Sequence, residues 1–185
     1  MKKRILLQVC CAPDATVAVE RLAGEYEIGI YFYNPNIEPL QEYQLRLDEM
    51  IRLASEIGVR VHPSPYDPER WRAAVRGLEH EPEKGARCTV CFRLRLEETA
   101  KAAVALGYPF FGTVLTVSPH KDADLINALG REIGERCGVS YLASDFKKRG
   151  GFSRSIELSR EHDLYRQNYC GCLFSKRERE RRGSK

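Results

Sequence analysis

Residues 4–14 read RILLQVCCAPD, and the fold follows from this passage. The first six residues are almost all apolar, as is typical of a strand buried on both faces of a parallel sheet. Residues 15–23 then have helical spacing and end at Gly24, and residues 27–33 (EIGIYFY) form a second run rich in β-branched and aromatic side chains. The chain therefore begins with a predicted strand, helix and strand.

This alternation of strands and helices continues along the chain. Further strands are predicted at residues 59–62, 109–115 and 140–143, and helices at residues 40–57, 67–78, 89–106, 122–137 and 153–162. Parallel strands joined by helical crossovers build a sheet that is covered on both faces. We therefore predict an α/β fold with a single Rossmann-like, doubly wound parallel sheet of strand order 3-2-1-4-5 and helices on both faces, similar to PP-loop and adenine-nucleotide-hydrolase proteins.

The chain has 185 residues, which fits a single domain. Residues 176–185 (KRERERRGSK) hold six basic and two acidic residues and account for the whole net charge of +4. We therefore divide the chain into a Rossmann-like domain at residues 1–175 and a basic C-terminal tail at residues 176–185. A frayed, solvated end is the usual state of such a tail, and an arm that contacts phosphates is the alternative.

The apolar runs of this chain are short. None approaches the roughly 18 residues that a membrane-spanning helix needs. The apolar stretch near the N-terminus is too short for a signal peptide and runs directly into cysteines and an aspartate. No membrane association is therefore expected, and a cytoplasmic location is the default.

The seven cysteines are hard to explain as structural disulfides in a cytoplasmic chain. Cys137 stands alone at the end of a predicted helix, where a small buried apolar side chain is the simplest interpretation. The other six form three close pairs, namely Cys10 with Cys11, Cys88 with Cys91, and Cys170 with Cys172. Random placement rarely produces three such pairs, so the spacing predicts a metal site or a redox centre.

Polar motifs follow the predicted strands at one edge of the sheet. Residues 10–14 follow the first strand, residues 34–36 the second, residues 113–121 the fourth and residues 145–149 the fifth. Open α/β sheets bind ligands at the carboxyl ends of their strands, so these motifs predict where the site lies. The first loop has no glycine, whereas the phosphate-binding loops of related ATP-cleaving enzymes depend on glycine. We therefore expect no ATP site there.

Cys88 and Cys91 occupy positions i and i+3 at the start of a helix, which places both sulfurs on one face. The helix N-terminus and Arg87 favour the thiolate form, which is the form that binds metal. Together with Cys10 and Cys11 they supply four thiolates, which is enough for a 4Fe–4S cluster. A structural zinc ion on the same four cysteines is the alternative.

Cys170 and Cys172 flank a single glycine in a late loop, where movement is easier. A disulfide across so short a span is strained and easily reduced, so the pair suits a dithiol–disulfide couple. Alternatively, the two thiolates and the carboxylate of Asp14 hold a second, mononuclear metal ion. Asp14 also has an ordinary role available to it, as the cap of the helix that follows.

Basic and aromatic side chains near these motifs are candidates for contacts with a nucleic acid. Lys121 either contacts a phosphate or marks the start of a helix. Tyr165 lies among aromatic residues that suit base stacking, although ordinary core packing is the more common role for such residues. Four further basic residues are candidate phosphate contacts: Lys147, Lys148, Arg149 and Arg154.

Six segments together resemble a known family. They are VCCAPDA (9–15), YFYNPNIEPLQEYQLR (31–46), GARCTVCFRLRLEETA (85–100), FGTVLTVSPHK (111–121), DFKKRGGFSRS (145–155) and LYRQNYCGCLFS (164–175). The chain resembles the epoxyqueuosine reductase QueH family, which is independent of cobalamin, and the resemblance spans nearly everything except the charged tail. Members of the family more often carry a cysteine where this chain has Asp14.

The resemblance implies that an epoxide on a modified guanine, at the wobble position of tRNA, is reduced to the alkene of queuosine. This step takes up two electrons and two protons and releases water. The resemblance also implies a partner tRNA carrying epoxyqueuosine and an external electron donor. It further implies that Cys170 and Cys172 are the redox pair and that four cysteines ligate a 4Fe–4S cluster: Cys10, Cys11, Cys88 and Cys91.

The epoxide oxygen needs a Lewis acid or a proton donor as its bond to carbon breaks. An open iron of the cluster, or a second iron ion held by Asp14, could be the Lewis acid. Lys121 or Tyr165 could supply the proton. Residues 1–175 would then form an iron–sulfur catalytic domain of an oxidoreductase.

Two other functions compete with this one. A cluster-dependent tRNA sulfur transferase would share the sheet and the cysteine pairs, but it normally activates its base with ATP, and the loop without glycine argues against an ATP site. A zinc-stabilised RNA-binding module would use the same cysteines without catalysis. Purified zinc protein is colourless, whereas an iron–sulfur protein is brown.

Overall fold

A parallel sheet of five strands forms the centre of this computed structural model, which describes residues 2–183. The strands are β1 (Lys3–Gln8), β2 (Tyr26–Tyr31), β3 (Arg60–His62), β4 (Phe110–Thr113) and β5 (Ser140–Tyr141). They lie in the order β3-β2-β1-β4-β5, and every neighbouring pair is parallel. The predicted fold class and the predicted strand order are confirmed.

The helices fall into two groups that cover the sheet. α1 (Ala12–Leu22) packs against α2 (Leu40–Glu56) and α6 (Gly151–Glu161), while α4 (Ala86–Ala105) packs against α3 (Pro68–Ala74) and α5 (Ala123–Cys137). The strand order reverses direction at β1, so right-handed crossovers place the two groups on opposite faces. No helix within residues 2–183 is both long enough and apolar enough to cross a membrane.

The side chain of Gln8 ties together the carboxyl ends of three strands. Gln8 is the last residue of β1 and is fully buried. Its amide nitrogen donates to the Tyr33 carbonyl at 3.2 Å and to Asn34 Oδ1 at 3.1 Å, both just beyond β2, and its amide oxygen accepts from Thr113 Oγ1 of β4 at 2.9 Å. A buried amide satisfied in this way holds the loops after β1, β2 and β4 in fixed relative positions.

Helix α4 begins at Ala86, three residues earlier than the sequence pattern predicts. The carboxylate of Glu81 accepts a hydrogen bond from the Ala86 amide at 3.0 Å and so satisfies one of the free amides at the helix start. The helix therefore contains both Cys88 and Cys91 within its first two turns.

A seventh helix, α7 (Leu173–Gly183), occupies most of the region predicted as a frayed tail. Phe174 packs on Trp71 with ring centroids 5.9 Å apart, and the Glu178 carboxylate lies 3.5 Å from the buried Arg87 guanidinium. These contacts with distant segments stabilise a helix that its own sequence, rich in charge, does not indicate. The proposed boundary after residue 175 falls inside α7, and residues 184–185 lie outside the described part of the chain.

Candidate functional site

A cavity at the carboxyl edge of the sheet brings together cysteines from three separate segments. Cys10 follows β1, Cys88 and Cys91 lie at the start of α4, and Cys170 and Cys172 precede α7. All five line one cavity of about 160 Å³, which we call the cysteine pocket. The predicted position of the site is therefore the position at which the fold gathers these residues.

Cys11 and Asp14 lie next to Cys10 and complete a group that could hold a metal ion. The two sulfurs are 4.0 Å apart, and the Cys10 sulfur lies 3.8 Å from Asp14 Oδ2. The three ligand atoms all lie within 4.8 Å of one another, and all three residues are buried. Thiolates and a carboxylate in such a group are ordinary ligands for a transition metal.

Asp14 is not the cap of α1. The helix begins at Ala12 with Cys11 at the N-cap position, and no side chain there bonds to the free amides. Asp14 instead lies within the first turn and is 8% exposed. Burial, together with the negative charge of the Cys10 thiolate, raises the pKa of Asp14 to about 7. A bound cation would shift this carboxyl back towards its ionised form.

Cys10 and Cys11 share one negative charge. The hydrogen bond from Cys11 lowers the pKa of Cys10 well below its usual value and outweighs the opposing effect of burial. The positive charges of Lys121 and Arg95 act in the same direction. The same hydrogen bond, with burial, raises the pKa of Cys11. One thiolate and one thiol therefore face each other at the end of β1.

Cys88 and Cys91 are shifted in the direction opposite to the one expected from their sequence context. Burial raises the pKa of Cys88, and it raises the pKa of Cys91 to about 11. Arg87 lowers the pKa of Cys88, but by less than burial raises it. The Arg87 guanidinium is directed mainly at backbone carbonyls between residues 78 and 81. These two thiols are therefore neutral until a metal displaces their protons.

The Cys170–Gly171–Cys172 loop is anchored, although the sequence suggested that it moves easily. The buried guanidinium of Arg46 donates to the carbonyls of Cys170 and Tyr169, each at 3.2 Å. The Glu38 amide donates to the Gly171 carbonyl at 2.9 Å. Gly171 has φ +128°, a conformation that favours glycine, and a Cβ there would come within 2.8 Å of the Ile37 side chain.

The two thiols of this loop form a matched donor and acceptor pair. Their sulfurs are 3.9 Å apart. The hydrogen bond from Cys172 lowers the pKa of Cys170 to about 6, and the same bond raises the pKa of Cys172. At neutral pH, Cys170 is therefore a thiolate that accepts from the Cys172 thiol. This arrangement suits thiol–disulfide chemistry, in which a thiolate is the reacting form.

Buried cations surround the cysteine pocket, and the sequence analysis did not single out two of them. Arg95 lies four residues after Cys91, a spacing that places both on one face of α4 and could have identified it. Arg46 comes from α2 and has no such sequence signal. The Nε atoms of Arg87 and Arg95 are buried, and neither donates to an acceptor within residues 2–183. Buried donors without acceptors fit a negatively charged group inside the pocket.

Of the two candidate proton donors, only Lys121 lies at the pocket. Lys121 lines the cysteine pocket and also a second, more polar cavity beside it. Burial by itself lowers its pKa, but the charges of Cys10, Asp14 and Cys170 outweigh that effect and leave its pKa raised. Tyr165 lies elsewhere, where its hydroxyl donates to the Glu42 carboxylate at 3.2 Å.

The candidate phosphate contacts lie outside the cysteine pocket and differ in how free they are. Lys147 and Lys148 pair with Asp145 at 3.0 and 3.4 Å, and the Lys148 side chain is 75% exposed. Arg149 has φ 52° in the turn that follows. Arg154 is bound by three carboxylates of α1 and α6, all within 3.1 Å: Glu20, Glu157 and Glu161.

Arg46→Lys is expected to destabilise the fold by about 2–4 kcal/mol, since each buried acceptor left without a donor costs about 1–3 kcal/mol. Lysine keeps the charge but cannot reach Glu42 and the carbonyls of Tyr169 and Cys170 together. Denaturant unfolding measures the change. Arg52→Lys is the matched control, because Arg52 also donates to two carbonyls but its side chain is 46% exposed. Equal losses in both variants would contradict the anchoring role.

The fold and the site together define a class: Rossmann-like α/β proteins with a buried cysteine centre at the carboxyl edge of the sheet. Within this class, the chain belongs to the epoxyqueuosine reductase QueH family, whose model matches residues 5–178. This confirms the family resemblance inferred from the sequence.

Relatives and solved structures agree with this assignment. Proteins named epoxyqueuosine reductase QueH from Streptococcus pyogenes serotype M1 and Thermotoga maritima are 42% and 36% identical to this chain. Each match covers 95% of this chain, with 71% and 91% of the respective relative. The fold is similar to that of a predicted subunit of tRNA methyltransferase from Methanocaldococcus jannaschii, with TM-score 0.58, 14% identity and coverage of 86% of this chain and 74% of the other. That similarity concerns the fold alone.

Proposed function

We propose that this protein is an epoxyqueuosine reductase, an oxidoreductase that reduces the epoxide of epoxyqueuosine at the tRNA wobble position to queuosine. One observation carries the proposal: the fold gathers five cysteines from three segments into a single cavity, in a chain that belongs to the QueH family. A tRNA substrate and the absence of any secretion signal in our interpretation of the sequence favour a cytoplasmic location.

A 4Fe–4S cluster is the proposed cofactor, with Cys10, Cys11, Cys88 and Cys91 as its ligands. When bound, such a cluster supplies electrons one at a time. The residues present fit it, because the unpartnered Nε donors of Arg87 and Arg95 and the positive charge of Lys121 offset the negative charge of a thiolate-ligated cluster.

Asp14 is the proposed oxygen ligand of a second, mononuclear iron ion. Its carboxylate lies beside the sulfurs of Cys10 and Cys11, which supports ligation together with that pair. The same search of residues 2–183 groups no other sulfur with Asp14. This favours the redox role for Cys170 and Cys172 over the alternative in which they hold the second ion with Asp14.

The protein's own residues account for the balance of the reaction. Oxidation of the Cys170–Cys172 dithiol to a disulfide releases two electrons and two protons. Reduction of the epoxide breaks both bonds from carbon to oxygen, forms the alkene and takes up two electrons and two protons to release water. Lys121 is the proposed donor at the departing oxygen, since its raised pKa keeps it protonated at neutral pH. An external electron donor must then reduce the disulfide for the next cycle.

The proposal is tested by incubating anaerobically purified protein with epoxyqueuosine-containing tRNA and dithionite. Mass spectrometry of the digested nucleosides should show the loss of one oxygen atom from the modified guanosine. A gain of sulfur would instead establish the sulfur transferase alternative. A colourless protein that contains zinc and leaves the tRNA unchanged would establish the RNA-binding module.

Binding of tRNA is expected to weaken steeply with salt, because Lys and Arg contacts with phosphates release counterions. The slope of log affinity against log salt should be slightly less than about one unit for each phosphate contact. Lys148→Ala should reduce the slope by about one such unit, since Lys148 is highly exposed. Arg154→Ala should change it less, because three carboxylates already neutralise Arg154. An affinity independent of salt would contradict the electrostatic model.

The part played by α7 is tested separately, by reversing charge at two exposed residues while keeping the helix. The double change Arg177→Glu and Arg181→Glu should weaken tRNA binding if α7 lies along the RNA backbone. Lys101→Glu is the control, because Lys101 is 60% exposed on α4 and distant in the chain from the predicted phosphate contacts. Unchanged affinity in the α7 variant would exclude α7 from the interface without affecting the salt prediction.

A further inference from the structure

A second cavity, which we call the polar pocket, opens beside the cysteine pocket and has a volume of about 240 Å³. The two cavities share Glu83, His120, Lys121 and Cys170 in their linings. The polar pocket extends away from this shared wall towards Phe152 at the start of α6 and the segment that precedes α7. A ligand in the polar pocket would therefore sit next to Lys121 and Cys170.

The lining of the polar pocket mixes donors with acceptors. Carboxylates come from Asp14, Glu83 and Glu178, and side-chain amides come from Gln167 and Asn168. Cations are present as well, contributed by Lys121, Arg166 and Arg179. A phosphate accepts hydrogen bonds only, so carboxylates in its site would be unfavourable. A nucleobase presents both donors and acceptors on its edge and therefore matches this mixture.

Gln167 has a side-chain amide that is free to bind a ligand. Its Oε1 atom is buried and accepts no hydrogen bond within residues 2–183. Neighbouring groups are already engaged: the Asn168 carbonyl accepts from Arg179 Nε at 2.8 Å, and the Tyr169 hydroxyl donates to the Glu38 carbonyl at 2.8 Å. A buried carbonyl oxygen without a donor costs free energy, which a donor on a ligand would recover.

Phe152 offers a flat apolar surface in the same cavity. Its ring is half-buried and lines the polar pocket. Aromatic contacts elsewhere in the described chain involve other rings, including Tyr169, which lies under the Arg46 guanidinium with 5.2 Å to its centroid. A free aromatic face beside an amide is the arrangement by which proteins stack and read an unpaired base.

We propose that the polar pocket binds the base of the modified nucleotide, with Phe152 stacking on it and the Gln167 amide hydrogen-bonding to its guanine edge. This inference rests on the proposed function and names the part of the substrate that the pocket holds. The guanine edge offers an acceptor beside a ring N–H donor, and a primary amide pairs with both at once. The base held there directs its epoxide-bearing substituent past Lys121 and Cys170 into the cysteine pocket.

The experiment compares binding of two anticodon stem–loop RNAs, one with guanine at the wobble position and one with an abasic site there. The wild-type holoenzyme should bind the guanine RNA about 5- to 100-fold more tightly, the range for one stacked base. Gln167→Leu should weaken binding of the guanine RNA about tenfold, within the range for one bidentate contact to a base. Phe152→Ala should weaken it similarly, and neither change should alter binding of the abasic RNA.

Gln44→Leu is the matched control, because Gln44 is an exposed amide on α2 and should leave both affinities unchanged. Equal binding of the two RNAs by the wild type would overturn the inference. Equal loss for both RNAs in Gln167→Leu would also overturn it and would assign the pocket to the RNA backbone. Failure of the proposed function is distinguishable, because it would abolish epoxide reduction while leaving this pattern of base-dependent binding in place.

Discussion

Replacing Cys88 or Cys91 with alanine is expected to remove the iron of the anaerobically purified protein and its epoxide reduction together. Each variant deletes one of four proposed ligands and leaves the cluster with an open coordination position. Activity should fall by more than about 100-fold, since even outer-shell partners of metal ligands contribute about 10- to 100-fold. Iron and acid-labile sulfide per chain, measured beside turnover on epoxyqueuosine tRNA, check this expectation.

Cys137→Ala is the control for these variants. Cys137 ends α5 and packs at the edge of the apolar core, outside the lining of the cysteine pocket. Its replacement should leave both iron and turnover close to wild type. A Cys88→Ala protein with a full complement of iron would show that Cys88 is not a ligand and that the cluster lies elsewhere among the cysteines.

Loading of metal into the metal-free protein is expected to become more favourable as the pH rises. Burial raises the pKa of Cys88, and it raises the pKa of Cys91 to about 11, so both thiols carry protons at neutral pH. Metal binding must displace these protons, and raising the pH reduces that cost. Iron uptake measured between pH 7 and pH 9 should increase, on the basis that coordinating thiols are deprotonated. An uptake that falls across this range would contradict protonated ligands in the metal-free state.

Cys172→Ser is expected to abolish turnover while leaving the cluster iron close to normal. The Cys170 and Cys172 sulfurs are 3.9 Å apart and need only a small approach to form a disulfide. Serine can still accept the hydrogen bond that the Ser175 amide gives to Cys172, so the loop should keep its conformation. Turnover should fall by roughly 10³-fold or more, the scale on which the loss of a covalent catalytic group acts. Iron counting and a single-turnover assay on the tRNA measure both quantities.

Each other outcome for this variant has a definite meaning. Loss of the whole cluster would make Cys172 a cluster ligand and would contradict the proposed ligand set. Loss of one iron ion with the cluster intact would place Cys172 at the second metal. Cys137→Ser, the same chemical change outside the pocket, should have no effect on iron or turnover.

The order of the sheet could be predicted because it depends on local patterns. Ile5, Leu6 and Leu7 are fully buried between β2 and β4, and a strand buried on both faces is visible as an unbroken apolar run. The handedness of the crossovers and the reversal of direction at β1 then limit the possible strand orders to very few. The position of the site follows from the same rule, since Cys10 directly follows β1.

The anchoring of the Cys170–Cys172 loop could not be predicted, because it depends on a contact across 124 residues of sequence. Arg46 lies on α2 with the spacing of an ordinary helical ion pair to Glu42, and nothing in that spacing indicates that it also holds the Cys170 carbonyl. Helix α7 escaped prediction for a similar reason. Its charged sequence shows little amphipathic pattern, and Phe174 and Glu178 stabilise it only through Trp71 and Arg87.

By itself the sequence determined the α/β class, the strand order, the pairing of six cysteines and the family, because each of these is written in residue type and spacing. Only the tertiary structure decided which charges the cysteines meet. Burial of Cys88 and Cys91 outweighs the helix start and Arg87, and the charge of Arg95 reaches Cys10 from another segment. Desolvation and through-space electrostatics depend on how segments pack in three dimensions, and spacing along the chain does not encode that packing.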